Sequence, residues 1–103
     1  MRRRRRRRGR RGRIPTPVYI GHRPAAEAFI PQPTGDKPPI VLEPAELEAL
    51  RLVDLEGLTQ EEAGVRMGIS RGTIWRLLQR ARRKVAQALT EALPIQLSEE
   101  EQG

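Results

Sequence analysis

The chain has 103 residues, with 20 Lys and Arg against 13 Asp and Glu, a formal net charge of +7 at neutral pH and no Cys. That length allows one compact core, and the missing Cys excludes disulfides, thiolate zinc sites and iron–sulfur clusters. A lone His22 builds no metal constellation, so no metal or other cofactor is expected, and no apolar run reaches membrane-spanning length, since Pro15, Pro17, Gly21 and Pro24 interrupt Ile14 to Ile30.

The charge is unevenly placed. Arg2 to Arg8, Arg10, Arg11 and Arg13 supply ten of the basic residues, and the remainder carries ten basic and thirteen acidic residues, net −3. Residues 1–13 are almost pure Arg and Gly and offer no apolar surface to offset ordering entropy. They read as a disordered arm suited to a polyanionic partner. Arg8, Arg10, Arg11 and Arg13 flank Gly9 and Gly12 in a way that resembles minor-groove hooks, whose Gly sits deep while Arg side chains enter the narrow groove. Such hooks continue directly with Pro, whereas Ile14 intervenes here before Pro15. The plainer reading is attraction to any phosphate polymer, RNA included.

Residues 14–38 are rich in Pro, interleaved with Tyr19, Ile20, Phe29 and Ile30. This composition predicts an extended segment, either a strap over the body or a linker.

Residues 39–97 form the body, and residues 98–103 an acidic tail. Ile40–Leu42 and Leu93–Leu97 are β-prone runs able to pair, although a two-stranded ribbon needs support from helices or from a second subunit. Between them lie three helical patterns. The first starts at Pro44, with Glu43, Glu46 and Glu48 near the positive end of its dipole. Leu47, Leu50, Leu55 and either Val53 or Ala49 are its expected buried side, and Gly57 its end. Thr59 caps the second helix and Glu62 completes a capping box. Ala63 and Met67 face inward, and Gly68 is placed to stop that helix in the left-handed conformation. Ser70 caps the third.

Ala63, Gly68, Ile69 and Ile74 thus mark a sharp turn between two helices, the physical content of a helix-turn-helix. At about 100° per residue, Ile74, Leu77, Leu78, Ala81, Val85, Ala88, Leu89 and Ala92 cluster on one side of the third helix. Gly72, Thr73, Arg76, Gln79, Arg80 and Arg83 fall on the other. Six basic residues and no acid lie between Arg71 and Lys84, while Glu43 to Glu62 holds seven acids against Arg51 alone. An ordinary solvated face would mix signs for i to i+4 pairing, so a phosphate-facing surface is the better explanation. Arg71, Gly72, Thr73, Trp75 and Arg76 are the expected base or groove contacts, with Arg71 and Arg76 able to hold guanine in bidentate fashion. Thr59, Ser70, Gln79, Arg80, Arg83 and Lys84 are the expected phosphate contacts. Trp75 sits at the border of the two faces. A partly buried contact with core or strap is the first reading for it, and a sugar or thymine-methyl contact the second.

The stretch Leu58-Thr-Gln-Glu-Glu-Ala-Gly-Val-Arg-Met-Gly-Ile-Ser-Arg-Gly-Thr-Ile-Trp-Arg resembles region 4 of sigma-70-type factors, the part that reads the promoter −35 element. The resemblance implies DNA contacts at Arg71, Gly72, Trp75 and Arg76, and departs from that family at Gly72 and Trp75, where charged residues are usual. Glu46-Leu-Glu-Ala-Leu-Arg-Leu-Val-Asp-Leu-Glu-Gly-Leu-Thr-Gln-Glu-Glu-Ala, Met67-Gly-Ile-Ser-Arg and Ala81-Arg-Arg-Lys-Val-Ala are together similar to an uncharacterised prokaryotic family of small predicted DNA-binding proteins, domain of unknown function 134. Arg13-Ile-Pro-Thr-Pro-Val-Tyr-Ile echoes its Pro/Tyr segment, without the Cys often found there.

The expected fold is therefore mainly α: a three-helix helix-turn-helix domain with short flanking β strands and a disordered N-terminal arm. The expected function is sequence-specific binding of duplex DNA in transcriptional regulation, in the cytoplasm and on the nucleoid. Residues 70–84 would enter the major groove as a recognition helix. A homodimer joined through Leu89, Leu93 and the terminal β runs would enlarge a thin core. RNA or ribosome binding through the arm is the alternative. Catalysis is not expected, because the acids sit at helix starts where capping explains them.

Overall fold

The computed structural model describes residues 18–99; the Arg-rich arm and the end of the acidic tail lie outside them. Three helices and a small three-stranded sheet make up the body, in the order β1 (Ala28–Phe29), β2 (Ile40–Leu42), α1 (Pro44–Leu50), α2 (Gln60–Met67), α3 (Arg71–Glu91) and β3 (Ile95–Leu97). A π-helical turn, Arg51–Leu55, continues α1.

Pro44 opens α1 at its first position, where a missing N–H costs nothing. The Glu46 carboxylate reaches back to accept from the Glu43 N–H at 2.9 Å. The π turn then alters the phase of the helix, its last bond running from the Glu56 N–H to the Arg51 carbonyl at 2.9 Å. The buried face is set by Ala45, Ala49 and Leu52, spaced four and three apart, and Leu55, expected in the core, lies off that face. Leu55 is 76% exposed, and Leu52 fills the core instead. Gly57, at φ +83°, ends the element as expected.

Thr59 caps α2 by accepting from the Glu62 N–H at 3.0 Å, while the Glu62 carboxylate accepts from the Thr59 N–H at 2.8 Å. Gly68 ends the helix at φ +72°. The turn is tightest at Gly64, whose carbonyl accepts from the Ile69 N–H at 2.9 Å. A Cβ on Gly64 would stand 2.7 Å from the Ile69 carbonyl oxygen, so the close approach belongs to Gly64 as much as to its buried neighbour Ala63.

Ser70 caps α3 by accepting from the Thr73 N–H at 3.1 Å. The helix runs 21 residues, well past the 70–84 stretch expected to meet DNA, and Ala92 closes it in the left-handed conformation at φ +58°. Its buried side, Ile74, Leu77 and Leu78, packs on Ala45, Ala49 and Leu52 of the first helical element and on Ala63 and Met67 of α2. Small residues on α1 and α2 let the three backbones approach closely. Leu89, expected on the buried side, is 77% exposed, while its neighbour Ala88, two turns on from Ala81, is buried at 3% and carries the covered face.

The two β-prone runs pair within one chain. β2 lies parallel to β3, with Ile40 opposite Ile95, Val41 opposite Gln96 and Leu42 opposite Leu97. Parallel neighbours need a long crossover, which the three helices provide. β1 adds to the free edge of β3 in antiparallel fashion. The sheet is tied to α3 by Lys84, whose ammonium donates to the Val41 carbonyl at 2.8 Å. Upstream, Val18 and Ile20 pack against the core, the Tyr19 N–H donates to the Met67 carbonyl at 3.1 Å, and the Gly21 N–H donates to the Glu48 carboxylate at 2.8 Å.

Candidate nucleic-acid interface

The exposed side of α3 is set by the residues that anchor its other side. With Ile74, Leu77, Leu78 and Ala81 buried, the residues diametrically opposite are Gly72, Arg76, Gln79 and Arg83, all exposed and spaced four, three and four apart on one stripe. Arg71 and Trp75 border this stripe on one flank. Thr73, Arg80 and Lys84 border it on the other.

The two flanks differ in what holds their charge. Lys84 is drawn inward: its Nζ lies 2.7 and 3.0 Å from the two carboxylate oxygens of Glu46, a group only 1% exposed. Arg80 donates through Nε to the same carboxylate at 3.2 Å while its side chain stays 59% exposed. With the Glu43 N–H as a further donor, both oxygens of this buried acid are satisfied, which burial of a carboxylate requires. Arg82 forms a two-point pair with Asp54, at 3.0 and 2.8 Å. The hydrogen bonds and charge of Arg82 hold the Asp54 carboxyl below its ordinary range against the opposing effect of burial.

The absence of acids between Arg71 and Lys84 therefore has a cause inside the fold. Arg80, Arg82 and Lys84 find their carboxylates on the first helical element, 28 to 38 residues earlier in the chain. Glu46, read from sequence as a partner of the helix dipole, is in fact the buried counter-ion of α3. Among the described residues, Arg71, Arg76 and Arg83 form no ion pair. These three are the basic residues of α3 whose charge no carboxylate of the described residues pairs.

Arg71, Gly72, Trp75 and Arg76 line one open recess of 450 Å³ together with Gln60. Four of the five residues expected to contact bases or groove are thus brought together. Gln60 was not among them; its signal was its place as first residue of α2 directly after the Thr59 cap, which a turn of this kind directs toward the start of α3. Trp75 is 52% exposed and is not among the residues packed on the core cluster, so the core half of its first reading is not met. Val18 and Ile20 take that role. Thr73, the fifth expected contact, faces the capping network: its hydroxyl lies 2.9 Å from that of Ser70 and accepts from Arg76 Nη2 at 3.3 Å. Arg76 is in this way steadied along the helix. Ser70 and Thr59 are exposed but already serve as caps. Arg8, Arg10, Arg11 and Arg13 lie outside the described residues.

No cluster of three or more His, Asp or Glu among the described residues is arranged to hold a metal ion. No described helix is long and apolar enough to cross a membrane. A smaller cleft of 310 Å³ lies away from α3, between the Ile20–Glu27 segment, the start of α1 and the end of β3.

Comparison with known proteins gives relatives but no assigned activity. The sequence model of the family described as "Protein of unknown function DUF134" matches residues 1–101. A UPF0251 protein of Pyrococcus horikoshii is 68% identical over 62 residues, covering 60% of this chain and 56% of that protein. A UPF0251 protein of Archaeoglobus fulgidus is 45% identical over 85 residues, 82% of this chain and 81% of its own length. One from the bacterium Aeromonas salmonicida is 46% identical over 81 residues, 75% and 79% of the two chains. The match spans little more than half the length of the Pyrococcus horikoshii protein and of a second one from Pyrococcus furiosus, 56% and 51%. No solved structure matches the chain.

Proposed function

The chain belongs to the DUF134 family, and from the surface of α3 we propose that it is a sequence-specific duplex-DNA-binding protein, a regulator of transcription rather than an enzyme. The observation that carries this reading is the convergence of Arg71, Gly72, Trp75, Arg76 and Gln60 on one open recess, beside arginines that no carboxylate of the described residues neutralises. A helix about 10–12 Å across fits the major groove, about 12 Å wide. Entering by its first two turns, α3 would set Arg71 and Arg76 at base edges, where a guanidinium holds guanine O6 and N7 together. Arg83 and Gln79, farther along the exposed stripe, would meet phosphates. Arg80 joins them by turning its exposed end outward, since Lys84 alone keeps Glu46 paired. Lys84 itself is the weakest of the phosphate candidates, being held by Glu46 and Val41. The similarity to sigma-70 region 4 supports the same use of the helix.

The Arg-rich arm supplies affinity through counterion release and a faster encounter, with little sequence information. A second copy, docked through the exposed Leu89 end of α3, would present two recognition helices to symmetric half-sites. The strands are not needed for that contact, since they pair within the chain. Sedimentation at micromolar concentration without DNA tests it, a monomer counting against it.

The deciding experiment is a gel-shift titration of three proteins: the full chain, residues 14–103, and the full chain with Arg71→Ala and Arg76→Ala. Each is run against duplex DNA and against structured RNA. Loss of sequence preference in the double substitution, with the arm deletion weakening all duplexes alike, is the expected result. Binding abolished by the arm deletion alone, with RNA displacing DNA, would replace this reading with RNA binding through the arm.

A further inference from the structure

The recess at the start of α3 has a chemical character of its own. Trp75 and Gly72 line it together with Gln60, Arg71 and Arg76, so an indole and a bare glycine backbone lie beside an amide and two basic residues. Nothing in the fold requires glycine at position 72, where an added Cβ would meet only the Ser70 hydroxyl, at 4.0 Å. The missing side chain leaves room for something outside the protein. Trp75 leaves half its surface in water in the same recess as Arg71 and Arg76, and covering that apolar surface would be favourable.

What covers it must be apolar at its centre and electron-rich at its sides. Among the base edges of the major groove, only thymine presents an apolar group, the C5-methyl, and guanine presents two adjacent acceptors. We infer that the recess reads a thymine next to a guanine: the thymine methyl seats on the Trp75 ring over Gly72, and Arg71 or Arg76 holds the neighbouring guanine. Trp75 then acts as a specificity residue and the arginines as its frame. This inference rests on the duplex-DNA reading above, and its test separates the two.

The probe is the duplex that the full chain enriches from a random library, with each thymine replaced in turn by deoxyuridine, which pairs identically and lacks only the methyl. At one thymine beside a guanine, the replacement should weaken binding by the full chain about four-fold, the value of one buried methyl. Trp75→Ala should bind the thymine and uracil duplexes alike. Because the chain has one tryptophan, its fluorescence should also change more with the thymine duplex than with the uracil one. In the unaltered chain, 5-bromouracil at that position should photo-cross-link to Trp75, a readout that does not depend on how a variant folds. If uracil weakens binding at no position, or weakens Trp75→Ala as much as the full chain, or the cross-link falls elsewhere, the thymine assignment is overturned while DNA binding stands. Failure to enrich any duplex overturns DNA binding itself.

Discussion

An added methyl group at Gly64 meets the Ile69 carbonyl oxygen at 2.7 Å, whereas one at Gly72 meets nothing nearer than the Ser70 hydroxyl at 4.0 Å. Gly64 and Gly72 should therefore answer the same substitution with opposite signs. Gly64→Ala forces the α2–α3 turn apart and should lower unfolding free energy by about 1–3 kcal/mol, the usual cost of overpacking. Gly72→Ala should raise it by about 0.5–1 kcal/mol through helix propensity, yet weaken DNA binding by narrowing the recess. Denaturant titration and gel shift on both variants check this; a Gly72→Ala chain that binds as well as the parent would remove glycine from the site. Little of this difference is visible in the sequence, where both are isolated glycines in helical patterns. What decides is the distance to a backbone atom of another element.

At the scale of elements, α1 and α3 are joined by apolar contact and also by the buried carboxylate of Glu46. Removing Lys84 leaves that carboxylate with the Glu43 N–H and, as its one remaining cation, Arg80, whose side chain is largely in solvent, and frees the Val41 carbonyl as well. Lys84→Ala should cost about 3 kcal/mol, as expected for a buried pair stripped of one partner. Arg80→Ala should cost under about 1 kcal/mol, because Lys84 still covers both oxygens, while lowering DNA affinity at low salt. Thermal unfolding of the two variants checks the order; equal losses would mean that Glu46 depends on both cations. Caps are a smaller contribution: Thr59→Ala should cost about 1 kcal/mol. The helix starts at Pro44, Thr59 and Ser70, and the stops at Gly57 and Gly68, were legible because caps and left-handed glycines are local chemistry. Leu55 and Leu52 were not, since the face of the first helix that meets α3 is marked by the small residues Ala45 and Ala49 and not by its leucine pattern.

For the molecule as a whole, three carboxyls link folding to pH. Burial pushes the Glu48 carboxyl up, but hydrogen bonds from Arg51 and the Gly21 N–H, with the charges of Arg51 and His22, outweigh it and hold the group below its ordinary range. Asp54 is lowered by Arg82, and Glu62 chiefly by the Thr59 N–H. A depressed folded pKa means that the unfolded chain binds protons first as pH falls. The stability these groups add is complete above the unfolded carboxylate range and is lost as pH falls through the folded values. The unfolding temperature should be flat from pH 7 to about 5 and drop below about pH 4. Glu48→Gln should remove part of the drop, and an unchanged acid profile would show that the Gly21–Glu48–Arg51 contact does not persist in solution. DNA binding should depend steeply on salt, and deleting residues 1–13 should flatten the slope of log K against log salt while leaving sequence preference in place.

The charge of the arm, the caps and glycine stops of the three helices, the β character of the terminal runs and the amphipathic period of α3 are all local properties, and the sequence by itself determined them. Tertiary structure decided which of the basic residues on α3 are paired within the fold and which are not. Electrostatic pairing acts through space, and the acids that take up Arg80, Arg82 and Lys84 stand 28 to 38 positions away along the chain. It likewise joined Gln60 to Trp75 in one recess, because only the angle between α2 and α3, fixed at Gly64 and Gly68, brings the start of one helix to the start of the next.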